Sequence, residues 1–281
     1  MAIFTGEGVY DTTSMMYLAE QSEHLNTSSR IKGVYNSLGT NLHLASNFSS
    51  MSGSASQIHK NAVEFGKLFG YYNHHNIVTS DGGTMLADAF MGYDYFYSAI
   101  PLDRPYLVKL DCIIADNKPL YLYQNTLSLN NAILVNKNNT YNCTDNVIQN
   151  TQNLYEYLGG SGNIFVTHNV DALIQNHLIT GKNISINNDS ISIINEDEKG
   201  VISFDILPSN YDKILYMSFA KDHTMDFIIN TESIEPAVNT RQLYDMGFVE
   251  KDNAYSYQIT IKKTIDFDDM VLYELNYDLV E

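Results

Sequence analysis

Two acidic side chains beside a glycine turn are the first candidates for chemistry in this sequence. Asp81 opens the segment Asp-Gly-Gly-Thr, and Asp88 follows between two alanines. Two carboxyl groups that face one cleft can act as general acid and general base, as in glycoside hydrolysis. The same side chains can instead cap a helix, for which Ser80 is a second candidate, and hold a loop. We favour the structural interpretation and predict no catalytic residue.

The metal-ligating residue types lie at spacings that do not form a known metal site. His74 and His75 are adjacent, so on most backbones their side chains point in different directions. Asp266, Asp268 and Asp269 have no glycine-bearing calcium loop around them, and a solvated acidic turn explains them better. We therefore predict no bound metal.

Nucleophile and phosphate motifs are equally incomplete. The Ser-Gly-Ser segment at 52–54 lacks the strand–turn–helix setting of a nucleophile elbow. The turn Ser-Asp-Gly-Gly-Thr at 80–84 lacks the lysine of a phosphate-binding loop. We expect no nucleotide and no other cofactor.

Tyrosine is the unusual residue of the composition, with 21 Tyr and no Trp. Aromatic faces beside Asn and Asp side chains are typical of sugar recognition, because an apolar ring stacks on the apolar face of the sugar. Tyrosines also fill half-buried strand positions without any ligand, which is the simpler explanation for each one taken singly.

The charge and length of the chain limit its partners. Its 281 residues suffice for two domains, and a hydrophobic fraction of 44% indicates a folded protein. A formal charge of −17 repels nucleic acid and anionic lipid headgroups, so we expect no nucleic-acid partner. No apolar run approaches the ~20 residues that cross a bilayer, and we expect these residues to be soluble as they stand. Cys112 and Cys143 form either a disulfide or, as we favour, two half-buried thiols.

Hydrophobic spacing predicts that residues 1–158 form an α+β domain, a small mixed sheet with packed helices. Helices are predicted at 11–25, at 58–69 with Gly70 as the stop, and at 145–158 with Thr144 or Asp145 as the cap. Strands are predicted at 30–34, 93–100, 106–114, 120–123 and 132–135. In the third strand, Tyr106, Val108, Leu110, Cys112 and Ile114 alternate and should share one face.

Helical periodicity disappears after residue 163. The segment Gly-Gly-Ser-Gly-Asn at 159–163 is the most linker-like stretch of the chain. Short alternating segments follow at 164–167, 184–186, 191–194, 201–206, 214–219, 225–229, 254–262 and 270–275. Such spacing predicts that 164–281 form a second domain, an antiparallel β-sandwich or jelly roll.

The glycine turn and its surroundings resemble the YfhO family of bacterial membrane proteins. In that family an Asn/Gly–Gly/Ser–Thr turn leads to Asp-Ser-Leu-Leu-Gly-x-Lys-Tyr and then a strand. Here Asp-Gly-Gly-Thr at 81–84 leads to Asp-Ala-Phe-Met-Gly-Tyr-Asp-Tyr at 88–95. Similar matches are Asn-Phe-Ser-Ser at 47–50 before the helix through Phe65, Leu-Tyr-Leu-Tyr-Gln-Asn at 120–125, Ala-Ile-Leu-Val-Asn at 132–136, the helix at 146–158, and the late segments 227–230, 244–248 and 255–262. Asp94 and Gln124 depart from the family's usual Lys and Glu.

This resemblance implies an extracellular domain of a polytopic membrane protein. The family is similar to GT-C glycosyltransferases, which use lipid-linked sugars, and is associated with glycosylation of lipoteichoic acid in the Gram-positive envelope. In that architecture the catalytic acidic residues belong to an extracytoplasmic loop between early membrane helices, so the resemblance implies that these 281 residues carry no catalytic residue. The chain would then guide an acceptor or donor, with its own transmembrane region and a glycan or teichoic-acid polymer as partners. Candidate glycan contacts, chosen for their polarity beside the glycine turn, are His74, His75, Asp81, Thr84, Asp88 and Tyr95.

Two other functions fit the sequence. A carbohydrate-binding or adhesion module would carry its site within 164–281 and retain glycan affinity there. A secreted glycoside hydrolase would turn over glycosides and lose that activity in Asp81→Asn or Asp88→Asn.

Overall fold

A computed structural model gives the fold of the chain. It describes residues 17, 20, 29–34, 49–50, 53–54, 60–74, 77–115, 118–129, 135, 140–175, 179–187, 189–219, 225–229, 232–234, 243–261, 263–266 and 270–280. The helix predicted at 11–25 and the strand predicted at 132–135 lie largely outside these residues.

The described chain is mostly β-structure with few helices. The helices are α1 (Lys60–Leu68), α2 (Met85–Phe90), α3 (Val147–Tyr157) and α4 (Val170–Gln175), with a 3₁₀ turn at Tyr277–Leu279. The strands are β1 (Arg30–Val34), β2 (Gly53–Ser54), β3 (Tyr71–His74), β4 (Ile77–Gly82), β5 (Tyr93–Ser98), β6 (Leu107–Ala115), β7 (Lys118–Asn125), β8 (Phe165–Asn169), β9 (Ile179–Lys182), β10 (Ile184–Ile186), β11 (Ser190–Ile193), β12 (Gly200–Ile206), β13 (Lys213–Phe219), β14 (Met225–Ile229), β15 (Glu232–Ile234), β16 (Leu243–Val249), β17 (Tyr255–Ile261), β18 (Ile265–Asp266) and β19 (Met270–Asn276).

The chain divides into two compact units. One consists of Met1–Gly66, Asn73–Asp81 and Ala87–Leu134, and the other of Lys67–Tyr72, Gly82–Leu86 and Val135–Glu281. Helix α3 therefore belongs to the second unit, whereas the sequence placed the helix at 145–158 in the first domain. The division into 1–158, a linker at 159–163 and 164–281 stays a prediction.

The first unit contains a four-stranded sheet in the order β1-β5-β7-β6. Strands β1 and β5 run parallel and the other neighbours antiparallel, so the sheet is mixed. Its buried cluster is formed by Ile31, Tyr97, Leu120 and Leu122. β1 has the bounds that the sequence analysis predicts for it, and β5 begins where the sequence places it.

Strand β6 does not present the single apolar face that its sequence predicts. Its register against β7 shifts between Lys109 and Asp111, so Leu110 is an extra residue in a bulge. β6 is also the edge strand of its sheet, and residues 108–112 are all exposed. Val108, Leu110 and Ile114 are 48%, 45% and 66% exposed. Cys112 on this strand and Cys143 are both free, as favoured over a disulfide, but both are exposed, so the predicted half-burial is wrong.

The second unit holds antiparallel sheets, as alternation after residue 163 predicts. Their orders are β15-β14-β17-β12-β9, β16-β13-β19-β8 and β10-β11-β18. Along β12 the buried positions Gly200, Ile202, Phe204 and Ile206 alternate with more exposed ones. One further sheet has the order β2-β4-β3.

Helix α3 is fixed at both ends by side chains. Asn146 is the N-cap, and its Oδ1 accepts a hydrogen bond of 2.9 Å from the Gln149 backbone N–H. The predicted caps Thr144 and Asp145 are therefore wrong, because the helix begins two residues later than its periodicity suggests. After the helix, Gln152 Nε2 donates to the carbonyl of Gly162 at 2.8 Å, and the N–H of Ile164 donates back to Gln152 Oε1 at 3.0 Å.

No helix among the described residues combines the length and the apolar character that a membrane span requires.

Candidate functional site

The candidate glycan contacts fall on four elements of the fold. His74 ends strand β3, but its side chain and all of His75 lie outside the part of the chain that can be described. Asp81 lies near the end of β4, Asp88 in α2 and Tyr95 in β5, all in the first unit. Thr84 belongs to the second unit. Whether these residues touch a glycan stays a prediction.

Asp88 is buried and holds an ion pair. Its carboxylate oxygens lie 2.6 and 2.8 Å from Lys32 Nζ on β1, and the two side chains are 4% and 6% exposed. The ammonium group also lies 5.4 Å from the centre of the Phe96 ring. A buried carboxylate is stable only when a partner compensates its charge. Lys32 on β1 compensates the charge of Asp88, so the ion pair links α2 to the sheet. The described contacts give Asp88 a structural role.

Residues Ser80 and Asp81 belong to strand β4 and do not cap the helix. β4 continues to Gly82 and α2 begins at Met85, so neither residue occupies the N-cap position that the sequence suggested. Ser80 Oγ accepts a hydrogen bond of 3.1 Å from the backbone N–H of Gly33 in β1. Asp81 is half-buried, and its backbone N–H donates to Thr79 Oγ1 at 3.1 Å. Asp81 is therefore partly open to solvent.

Tyr95 packs against the edge of the buried cluster in the first unit. It pairs with Ile31 across the parallel strands and contacts the cluster around Tyr97 and Leu122 while remaining half-exposed. Burial raises the pKa of its phenol, and the neighbouring Asp94 charge raises it further, although a hydrogen bond with Ser29 lowers it. The phenol therefore stays protonated at neutral pH and remains able to donate a hydrogen bond.

Asp94, one of the two residues that depart from the pattern of the resemblance, accepts hydrogen bonds from Arg30 in β1 and from Ser128. Its Oδ2 accepts a 3.2 Å hydrogen bond from the Arg30 N–H, and its Oδ1 accepts one of 2.7 Å from Ser128 Oγ. Arg30 also donates from Nη1 to the carbonyl of Met91. A lysine before Tyr95 could not accept these two hydrogen bonds, because its side chain has no acceptor atom.

Thr84 is fully buried at the start of α2. Its Oγ1 lies 3.4 Å from Thr151 Oγ1 on α3, and the next backbone N–H, of Met85, donates to the Tyr216 hydroxyl at 2.9 Å. The preceding Gly83 has a φ of +78°, and a Cβ there would lie 2.5 Å from the Tyr71 ring. The glycine turn is therefore required by backbone conformation and by close packing.

A second buried charged group lies on three neighbouring strands of the second unit, and we call it the Glu274 cluster. Glu274 Oε1 is 3.2 Å from Lys213 Nζ and 3.2 Å from His168 Nε2, although the imidazole is not oriented for a hydrogen bond. Tyr211 donates to Glu274 Oε2 at 3.3 Å, and Lys213 also donates to the carbonyl of Leu207 at 2.9 Å. Burial raises the pKa of Glu274, but His168 and Lys213 lower it by more, so the pKa lies below its ordinary value.

Sequence reasoning missed the lysines of both buried pairs. Lys32 stands between Ile31 and Gly33 in β1, and Lys213 directly precedes an apolar run in β13. A basic side chain at a buried strand position, in a chain with only 16 Lys and Arg, is a usable signal for a buried ion pair. Among the described residues no group of three or more His, Cys, Asp and Glu could hold a metal ion.

The chain matches a family of bacterial membrane proteins over residues 9–281. It belongs to the family described as bacterial membrane protein YfhO. No curated protein matches the chain at a significant level.

Solved structures resemble only parts of the chain. A Podospora anserina GH26-CBM35 β-(1,4)-mannanase aligns with 14% identity and a TM-score of 0.26, covering 39% of this chain and 27% of its own. The insecticidal crystal protein Cry2Aa aligns with 14% identity and a TM-score of 0.25, covering 58% and 27%. A family 29 carbohydrate-binding module from Piromyces equi has 14% identity and a TM-score of 0.11, with coverage of 42% and 81%. The chain thus matches about a quarter of the length of the first two structures.

Proposed function

We propose that this chain is an extracellular accessory domain of a polytopic membrane protein that resembles glycosyltransferases of the cell envelope. The domain guides an acceptor polymer, such as lipoteichoic acid, or a lipid-linked sugar donor, and the membrane-embedded part of the same protein performs the transfer. The observation that carries this proposal is the family match over residues 9–281, which puts nearly all of the chain inside a membrane-protein family.

The proposed architecture is an α+β first domain and a β-sandwich of jelly-roll type after it. The alternating burial of β12 and the antiparallel five- and four-stranded sheets of the second unit support a sandwich, because each sheet must cover one apolar face. The mixed sheet of the first unit supports the α+β assignment.

Among the candidate contacts, Asp81 and Tyr95 are the described residues that a glycan can reach most directly. Both are half-buried, whereas Thr84 and Asp88 are buried. Thr84 and Asp88 enter the proposal as residues that hold the glycine turn, and His74 and His75 remain candidates from sequence.

The guiding role is tested by kinetics of the full-length protein in membrane vesicles with a labelled lipid-linked sugar. Asp81→Ala should raise KM for the acceptor several-fold and leave kcat unchanged, because the residue contacts substrate away from the reacting bond. Asp189→Ala, at an exposed position of the second unit, is the control. A lost kcat with an unchanged KM would make Asp81 catalytic and contradict the proposal, and unchanged kinetics would contradict direct contact.

The extracellular location has its own test, because Cys112 and Cys143 are free and exposed. A membrane-impermeant maleimide should label the full-length protein in intact cells, and the Cys112→Ser/Cys143→Ser variant should lose that labelling. Labelling of these two thiols only after lysis would contradict an extracellular domain.

A further inference from the structure

A row of aromatic rings ends at the surface of helix α3. Phe69 is buried and lies 6.3 Å, centre to centre, from the ring of Tyr141, at an interplanar angle of 22°. Tyr141 in turn meets Tyr157 edge to face at 6.0 Å. Tyr141 and Tyr157 are both half-exposed. The buried ring and the Tyr141 hydroxyl, which donates to the carbonyl of Asn150 at 3.1 Å, hold the outer rings in place.

Amide side chains continue this row along the same face of α3. Gln149, Asn153 and Tyr157 are spaced four residues apart, so they lie above one another on the helix. Gln149 Nε2 donates to Asn153 Oδ1 at 2.8 Å, and Asn153 Nδ2 donates to the carbonyl of Asn142 at 2.7 Å. These hydrogen bonds fix the orientation of the amides beside the rings. We call Tyr141, Asn142, Gln149, Asn153 and Tyr157 the α3 patch.

The chain segment that carries the α3 patch is acidic. The sequence has no Lys or Arg between 138 and 181, and Asp145 and Glu156 are exposed on and beside the helix. Phosphate groups are bound by Arg, Lys or converging backbone N–H groups, and exposed carboxylates repel them. A ligand of the patch is therefore not a phosphate-bearing anion.

We propose that the α3 patch binds an uncharged pyranose unit of a glycan. The Tyr157 ring stacks on the apolar face of the sugar, and the amides of Gln149, Asn153 and Asn142 exchange hydrogen bonds with its hydroxyl groups. The inference rests on the proposed function and deepens it. It specifies that the α3 patch contacts the sugar, and not the phosphate backbone, of an envelope polymer.

A single exposed platform with a few amides gives weak binding, with Kd on the order of 1 mM. Removal of the stacking ring should weaken that binding about tenfold, given the energy of one aromatic contact. Loss of the Tyr157 hydroxyl alone should change it little.

The test uses the whole chain labelled with ¹⁵N, titrated with galactose, glucose and N-acetylglucosamine, and separately with glycerol 3-phosphate. At least one neutral sugar should shift the side-chain amide signals of Gln149 and Asn153. Tyr157→Ala should reduce the affinity about tenfold and Tyr157→Phe should retain it. Tyr121→Ala is the matched control, because Tyr121 is also half-buried beside a second tyrosine but has Lys109 above its ring.

The outcomes separate this inference from the function on which it rests. Absence of amide shifts with every neutral sugar, equal binding of glycerol 3-phosphate, or unchanged affinity in Tyr157→Ala would each overturn the sugar site. If Tyr157→Ala proves unfolded, Asn153→Ala must weaken binding in its place, and unaltered binding there overturns the site. None of these results affects the vesicle kinetics of Asp81→Ala, which test the accessory role.

Discussion

The buried pair of Lys32 and Asp88 is the contact whose loss should affect the first unit most. Lys32→Met leaves the Asp88 side chain, which is 4% exposed, without its ammonium partner, so the free energy of unfolding should fall by about 3–5 kcal/mol. The double variant Lys32→Met/Asp88→Leu should recover most of that loss, because no uncompensated charge remains. Urea denaturation at pH 7 measures both changes.

Lys109→Met is the control for this pair, since Lys109 is exposed and lies 4.9 Å from the centre of the Tyr121 ring. Lys109→Met should change the free energy of unfolding by no more than about 1 kcal/mol. If Lys32→Met proves as mild as Lys109→Met, the ion pair does not hold α2 to the sheet.

Ionisation of Glu274 should make the free energy of unfolding of the second unit vary with pH in the acid range. Its pKa is lowered in the folded protein, so its contribution is present above the ordinary glutamate pKa and is lost as pH falls through the lowered value. Glu274→Gln should therefore be less stable than the parent at pH 7, and the difference should shrink toward pH 3. Urea unfolding at a series of pH values measures it. A stability difference between Glu274→Gln and the parent that is equal at all pH values would contradict this linkage. Glu196→Gln, at an exposed position, is the control and should not differ from the parent in stability.

Alanine substitutions at two glycines with positive φ should distinguish the energetic cost of backbone strain from the cost of a steric clash. Gly83 has φ +78° and a Cβ there would lie 2.5 Å from the Tyr71 ring, whereas Gly162 has φ +89° and open space around it. Gly162→Ala should cost only the left-handed strain, about 1–2 kcal/mol. Gly83→Ala should cost about 1–3 kcal/mol more, because the ring has to move. Thermal and urea denaturation compare the two variants, and equal losses would show that the close contact at Gly83 is not limiting.

Elements that depend on residues close in the sequence could be predicted, whereas features that depend on residues distant in the sequence could not. β1 spans the residues 30–34 predicted for it, and Gly70, with a φ of +75°, follows the end of α1 as predicted. The cap of α3 was misplaced because Thr144, Asp145 and Asn146 are all good caps by residue type, which does not identify Asn146 as the one that accepts the Gln149 N–H. The bulge at Leu110 carries no sequence signal, since a bulge depends on the partner strand.

The candidate site was less predictable than the fold. Asp88 was recognised as a structural residue, but its partner Lys32 is 56 positions away in the sequence. Pairing of this kind is spatial, so no spacing rule reveals it. The α3 patch likewise depends on Phe69 and Tyr141 meeting α3, a contact that the periodicity of the helix alone does not contain.

At the scale of the whole molecule, a net charge of −17 should decide how the chain meets an anionic polymer. If the domain guides a polyglycerol-phosphate chain, repulsion opposes contact at low ionic strength and is screened as the Debye length falls from about 30 Å at 0.01 M salt to about 8 Å at 0.15 M. Binding of polyglycerol phosphate should therefore strengthen with added NaCl, measured by calorimetry at both concentrations. Dextran, a neutral polymer, is the control and should bind with the same affinity at each. Polyanion binding that weakens with salt would instead indicate a local basic site that overrides the overall charge.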